Sequence, residues 1–155
     1  MSIELRRKEK KIHGQPAIEA VIAASPFCRL AMSDGETPYI VPLCFGYEAN
    51  TLYFHSARKG RKISILQKNP QVCVQFDCDL DLQPAEKPCD WGLGYKSVIG
   101  FGRATFVEDP EAKRQALAVI MSQYTRGQFE FDDASLKKTM VVRVDLNELS
   151  GKQTV

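Results

Sequence analysis

The sequence predicts a mainly β (α+β) fold: an antiparallel six-stranded Greek-key barrel with helices packed outside. Three observations lead there. About six segments alternate apolar and polar residues with the period of two expected of half-buried strands. Two main helical patterns and one short one lie among them, without the strand–helix–strand rhythm that builds a parallel sheet. The chain has 155 residues, 26% charged and 44% hydrophobic, which is ordinary composition for one globular domain over 1–155.

The N-terminal arm, residues 1–12, carries Arg6, Arg7, Lys8, Lys10 and Lys11 and reads as a solvated segment or short helix. Pro16 suits a first helical turn, and Ile18, Val21 and Ile22 then recur at i, i+3 and i+4 until Ser25-Pro26 stops them. FCRLAMS (27–33) alternates as a strand, and Asp34-Gly35 has turn chemistry. Pro38–Tyr47 reads as the next strand. Pro42 inside it removes a ladder donor, so the segment is an edge, a bulge, or a place where something other than a strand takes up the position.

Leu52–Phe76, LYFHSARKGRKISILQKNPQVCVQF, reads as strand, tight basic loop, short helix and strand, with Asn69-Pro70 ending the helix. The segment 77–94 holds Pro84 and Pro88 and reads as a long loop, the kind that in compact domains is functional or mobile. Its acids Asp77, Asp79 and Asp81 lack calcium-loop spacing and read as solvated. Trp91 and Tyr95 are candidates for an aromatic wall over a flat ligand, although aromatic residues are by default core.

Lys96–Val107 is a strand whose Gly100 and Gly102 would let a ring or another backbone approach closely. Asp109-Pro110 starts a helix with the stripe Leu117, Ile120, Met121 and Tyr124. A loop follows, then the strand Thr139–Leu146 and a tail at 150–155.

Several function classes are disfavoured at this stage. The formal charge of +2 does not argue for nucleic acid or a membrane surface as partner. No apolar run approaches the ~20 residues of a membrane span, and the N-terminus is not a signal segment, so a soluble cytoplasmic protein is expected. The five cysteines show no CxxC pairing or neighbouring histidine, which suits reduced thiols and no metal site. Gly-x-Ser-x-Gly and HExxH motifs are absent.

The informative cations are Arg61 and Lys62. They follow Gly60 and open the short helix, so unpaired backbone N–H groups, a guanidinium fork and a point charge converge where a phosphate could sit. By charge alone, Arg58, Lys59, Arg61 and Lys62 also fit an ordinary solvated loop.

RKISILQKNP, preceded by YFHS and followed by an alternating strand, resembles the flavin mononucleotide (FMN) binding split barrels of the pyridoxamine 5′-phosphate oxidase superfamily. PYIVPLCFGY, LYFHSA, GRK and SVIGFGRA together look most like its 5-nitroimidazole resistance branch. The resemblance implies a split barrel and FMN as cofactor, its phosphate held by Arg61 and Lys62. It implies flavin contacts from His55, Ser56, Ser97 and Val98, and backbone contacts along the ring from Pro42, Leu43, Cys44 and Phe45. Ser97 stands where the oxidase has glutamine, a longer side chain. Trp91 and Tyr95 would wall the substrate pocket, and His55 would orient or protonate the substrate.

The resemblance further implies a homodimer with FMN between the subunits. The expected function is an FMN-dependent reductase drawing electrons from NADH, NADPH or a protein donor. Its acceptor would be a small flat molecule such as a nitroimidazole. The alternative is a non-catalytic flavin-binding or sensing protein. Oxidation of pyridoxamine 5′-phosphate is disfavoured, because the chain closes with SGKQTV and not with an arginine-rich segment.

Overall fold

The structure is a computed structural model, and it describes residues 4–154. Among these residues eight strands form one sheet in which every pairing is antiparallel. In chain order the elements are β1 (Lys11–Ile12), α1 (Gln15–Ala24), β2 (Cys28–Ser33), β3 (Pro38–Leu43), β4 (Gly46–Glu48), β5 (Thr51–Ala57) and α2 (Arg61–Lys68). There follow β6 (Gln71–Gln83), β7 (Gly92–Val107), α3 (Pro110–Ser122), α4 (Asp133–Lys138) and β8 (Thr139–Thr154).

The strand order is β3-β2-β6-β7-β8-β5-β4, with β1 added to β8. β3 and β4 are therefore the two ends of the path, yet only Cys44 and Phe45 separate them in the chain. Three Cα–Cα steps span at most about 11 Å. The sheet must curl until its ends nearly meet, which makes a barrel that is split because no ladder closes β3 onto β4. β5 precedes β6, β7 and β8 in the chain but lies beside β8, the swap of a Greek key.

The inward residues build one core. Phe54, Phe76, Leu30, Leu52, Val74, Val98, Val142 and Val144 are fully buried, and α1 adds Ile18, Val21 and Ile22. Phe45 meets Phe76 edge-on at 5.0 Å between ring centroids. No helix among the described residues is long and apolar enough to cross a membrane.

Several expectations are corrected. The expected six strands become eight, because Pro38–Tyr47 breaks at Cys44-Phe45 into β3 and β4, and the arm supplies β1. Pro42 does lie on an edge strand, paired on one side only, with Arg29 of β2 as its register partner. The segment 77–94 is mostly hairpin. The register shifts between Cys78 and Asp81, with Asp79 at φ 54°, and the ladder then resumes with Leu82 opposite Leu93. The tail is the end of β8, paired with Tyr95–Ile99 and with β1; only Val155 lies outside the described residues.

Within the arm, Lys8–Lys10 form one 3₁₀ turn and Lys11–Ile12 a short strand, and residues 1–3 lie outside the described residues. The buried face of α3 is Lys113, Ala116 and Ile120, with Tyr124 exposed. Lys113 can be buried because its ammonium donates to the carbonyls of Leu136 and Thr139, both at 2.9 Å. The short α4 replaces part of the loop expected after α3, and Asp132 caps it by accepting from Ser135 N–H at 2.8 Å. At Gly102 the close neighbour is another backbone: a Cβ there would lie 2.3 Å from the Asp145 carbonyl oxygen.

Candidate functional site

The short helix after the basic loop forms as its sequence implies, and its first turn is called the clasp below. Gly60, at φ 141°, turns the chain out of the basic loop, and Arg61 and Lys62 occupy the first two positions of α2. The first bond of the helical ladder runs from Ser64 N–H to Gly60 O at 3.0 Å, so the amides of Arg61, Lys62 and Ile63 precede it. No side chain caps this end; the Ser64 hydroxyl instead donates to Gly60 O at 3.2 Å. Ile63, Ile65 and Leu66 bury the opposite side of the helix and fix where its N-terminus points.

Both cations are placed by aromatic rings. The Arg61 guanidinium lies 4.7 Å from the centroid of Tyr39 on β3, and the Lys62 ammonium 5.6 Å from that of Phe54 on β5. Through these two side chains α2 contacts both β3 and β5. Lys62 is partly buried, and this desolvation holds its pKa below the ordinary lysine value. An anion beside it would relieve that penalty.

Alternation along β5 separates its two candidates. Ser56 shares the face of Phe54, the ring beneath Lys62, whereas His55 projects to the other face and is exposed. On the edge segment, Pro42 and Cys44 are exposed and Leu43 is half-buried. Phe45 is buried, and its N–H donates to the Tyr124 hydroxyl at 3.0 Å. That amide is already engaged, so a backbone contact from Phe45 to a ring would have to use its carbonyl. Although the ring is exposed, desolvation of the hydroxyl end, the largest influence, pushes the Tyr124 phenol up to about 12, so it stays protonated at neutral pH.

The remaining candidates lie elsewhere. Ser97 is buried on the outer face of β7 and accepts from Gln75 Nε2 at 3.5 Å, while Val98 points into the core and offers only its backbone. Ser97 and Tyr95 line a cavity of about 490 Å³ on the outer face of β2, β6, β7 and β8. Trp91 is not part of it. Its ring is exposed, and its indole N–H donates to Ala85 O at 2.7 Å, pinning the hairpin turn.

Most of the predicted residues thus fall into two groups on one chain, the clasp with Ser56 and β3 and the cavity with Tyr95 and Ser97; His55, Trp91 and Val98 belong to neither. No clasp residue lines the cavity. Sequence reasoning missed Arg29, Gln75, Ser150 and Lys152, which also line it. A charge inside the otherwise apolar FCRLAMS was the one signal that could have found Arg29. The acids read as solvated are partly paired: Asp77 with Arg29, and Asp79 with Lys96 at 2.7 Å.

Comparison with known proteins gives this geometry a family. A structure from Bacteroides thetaiotaomicron, provisionally described as a 5-nitroimidazole antibiotic resistance protein, is 36% identical; the match covers 92% of this chain and 85% of that one, with a TM-score of 0.82. An FAD-binding protein from Mesorhizobium loti is 25% identical over 92% of this chain and 96% of its own, with a TM-score of 0.67. The flavocytochrome Anf3 from Azotobacter vinelandii, at 20% identity, 98% and 72% coverage and a TM-score of 0.85, shares the fold. An uncharacterised protein of Rhizobium meliloti (strain 1021) is 34% identical over 66 residues, which is 43% of this chain and 43% of that protein. Residues 15–153 match the pyridoxamine 5′-phosphate oxidase family, so the chain belongs to that family of flavin-binding split barrels.

Proposed function

We propose that the chain is an FMN-dependent reductase that works as a homodimer. It takes electrons from NADH, NADPH or a protein donor and passes them to a small flat acceptor, such as a 5-nitroimidazole or another nitro-aromatic. The observation that carries this reading is the clasp: an open helix N-terminus with two ring-held cations, one of them partly desolvated, beside β3 and β5. Its separation from Ser97 and Tyr95 supports the dimer, since a flavin held by one chain's clasp could meet the cavity face of the other.

In this reading, flavin supplies the redox chemistry when bound. Arg61, Lys62 and the first amides of α2 hold the phosphate, and Ser56 hydrogen-bonds nearby. The edge segment from Pro42 to Phe45 flanks the ring, with Ser97 and Val98 contributing from the second chain. His55, exposed at the end of β5, orients the acceptor or gives it a proton. Tyr95 walls the acceptor pocket; Trp91 reaches it only if the hairpin of one chain lies over the other. The five free thiols, with Cys44 and Cys89 exposed, support a reducing, cytoplasmic setting.

The test starts with the visible spectrum of the purified protein, then FMN titration, then anaerobic addition of NADH or NADPH with a 5-nitroimidazole. The expected result is tight FMN binding, bleaching of the flavin bands by a donor, and acceptor-dependent recovery. Protein that never takes up flavin overturns the reading. Flavin that binds but is never reduced selects the non-catalytic alternative.

A further inference from the structure

Lys113 carries a charge that the fold buries without neutralising it. The residue is only 4% exposed, and its ammonium donates to two main-chain carbonyls, Leu136 O and Thr139 O. Carbonyls satisfy hydrogen bonds but bring no full charge, and among the described residues Lys113 forms no ion pair. Buried charges are ordinarily paired, because desolvation otherwise goes uncompensated.

This lysine lines a cavity of about 430 Å³, a small-molecule size, formed by α3, α4 and the loop after β5. Arg58 and Lys137 line it too. Arg58 donates from Nη1 to Lys137 O at 3.0 Å, the carbonyl next to the Leu136 oxygen that Lys113 uses, so the two cations stand on consecutive carbonyls of α4. That bond uses one of five guanidinium donors, and the Glu108 carboxylate, 3.9 Å away, is too far for another.

The two acids of the lining do little to offset these three cations. Asp133 is bonded to Arg114, and the Glu108 and Asp133 side chains are 66% and 79% exposed. Capping the last carbonyls of α4 accounts for the hydrogen bonds of Lys113 and Arg58. It does not account for an unneutralised buried charge on the wall of a cavity.

We propose that this cavity binds a small phosphate monoester. Arg58 and Lys137, whose side chains reach solvent, hold the phosphate oxygens. Lys113 makes no contact and acts through its field, which burial leaves weakly screened. Pro110 and Leu136 flank the organic part. A phosphate carries close to two charges at neutral pH and so supplies more of the missing counter-charge than one carboxylate. No clasp residue lines this cavity, and the site does not depend on the function proposed above.

The test is calorimetric titration with inorganic phosphate, phenyl phosphate and benzoate at constant ionic strength. It uses the full chain carrying Arg61→Ala and Lys62→Ala, so that the clasp takes up no phosphate. Arg58→Gln, Lys137→Gln and Lys113→Met are then added singly, with urea unfolding as the check on folding. Both phosphates are expected to bind with Kd of about 1 mM or tighter. Phenyl phosphate should exceed benzoate at least tenfold, and each added substitution should weaken it about tenfold, the scale of one interaction with a charged group.

No phosphate binding up to about 10 mM overturns the proposal, as does benzoate that matches phenyl phosphate. Unchanged affinity in both Arg58→Gln and Lys137→Gln also overturns it, and these accessible positions keep the test decisive should Lys113→Met fail to fold. A folded Lys113→Met that binds phosphate as tightly as its parent overturns the part assigned to the buried charge.

Discussion

Replacing Arg61 and Lys62 together by alanine tests the clasp most directly. Each cation can make one charge-assisted bond to a phosphate oxygen, worth roughly 1.5–3 kcal/mol, so the pair could contribute about 3–6 kcal/mol. The structure favours the lower end. Arg61 is exposed, and water competes with its bonds. Lys62 is partly buried and gains more from an anion. A loss of about 3 kcal/mol corresponds to roughly a hundredfold in Kd. The assay is quenching of flavin fluorescence on titration, run with FMN and with riboflavin, which lacks the phosphate. The double variant should lose about a hundredfold for FMN and little for riboflavin. An unchanged ratio of the two affinities would refute the clasp, whatever the absolute values.

Three further outcomes are expected. Burial lowers the Lys62 pKa, so in free protein the unfolded state holds the extra proton between the folded value and 10.5, and Lys62 adds stability as pH rises through that window. A bound phosphate has the opposite preference: FMN affinity should fall as pH climbs through the same window, and Lys62→Arg, which does not titrate there, should flatten that fall in a titration series. Tyr124→Phe leaves the Phe45 amide without its acceptor and should cost about 1–3 kcal/mol in urea unfolding; an unchanged midpoint would mean that water replaces the hydroxyl. Gly46→Ala would put a Cβ 2.5 Å from the backbone of Val119 and Ile120, forcing β4 away from α3, for a loss of about 3 kcal/mol measurable as a lower Tm.

Opposite-facing neighbours explain why the expected site residues do not all gather at one place on the chain. Along β5, Ser56 turns to the clasp and His55 away from it; along β7, Ser97 turns to the cavity and Val98 into the core. A motif such as HS or SV is contiguous in sequence, yet a strand sends its members to different faces. Any ligand that touches both side chains of such a pair must lie at a strand end or engage backbone.

Local sequence sufficed wherever the cause is local. Strand alternation, the Asp109-Pro110 start of α3, the edge role of Pro42 and the cations after Gly60 depend on near neighbours, and each stands in the structure. The signals of α4 and of the 77–94 hairpin are also present, in the Asp132 cap and the alternating DLDL, but Gly127 and the acids mask the first, and Pro84, Pro88 and the acids the second. Tertiary structure alone decided the rest. Arg29, Gln75 and Ser150 are 46 and 75 residues apart along the chain, and only strand pairing sets them in one row. The curl that brings β3 to β4, the ring that holds each clasp cation and the acceptor Tyr124 offers Phe45 likewise come from contacts between distant segments. A sequence read in windows of one turn or one strand contains no information about such contacts.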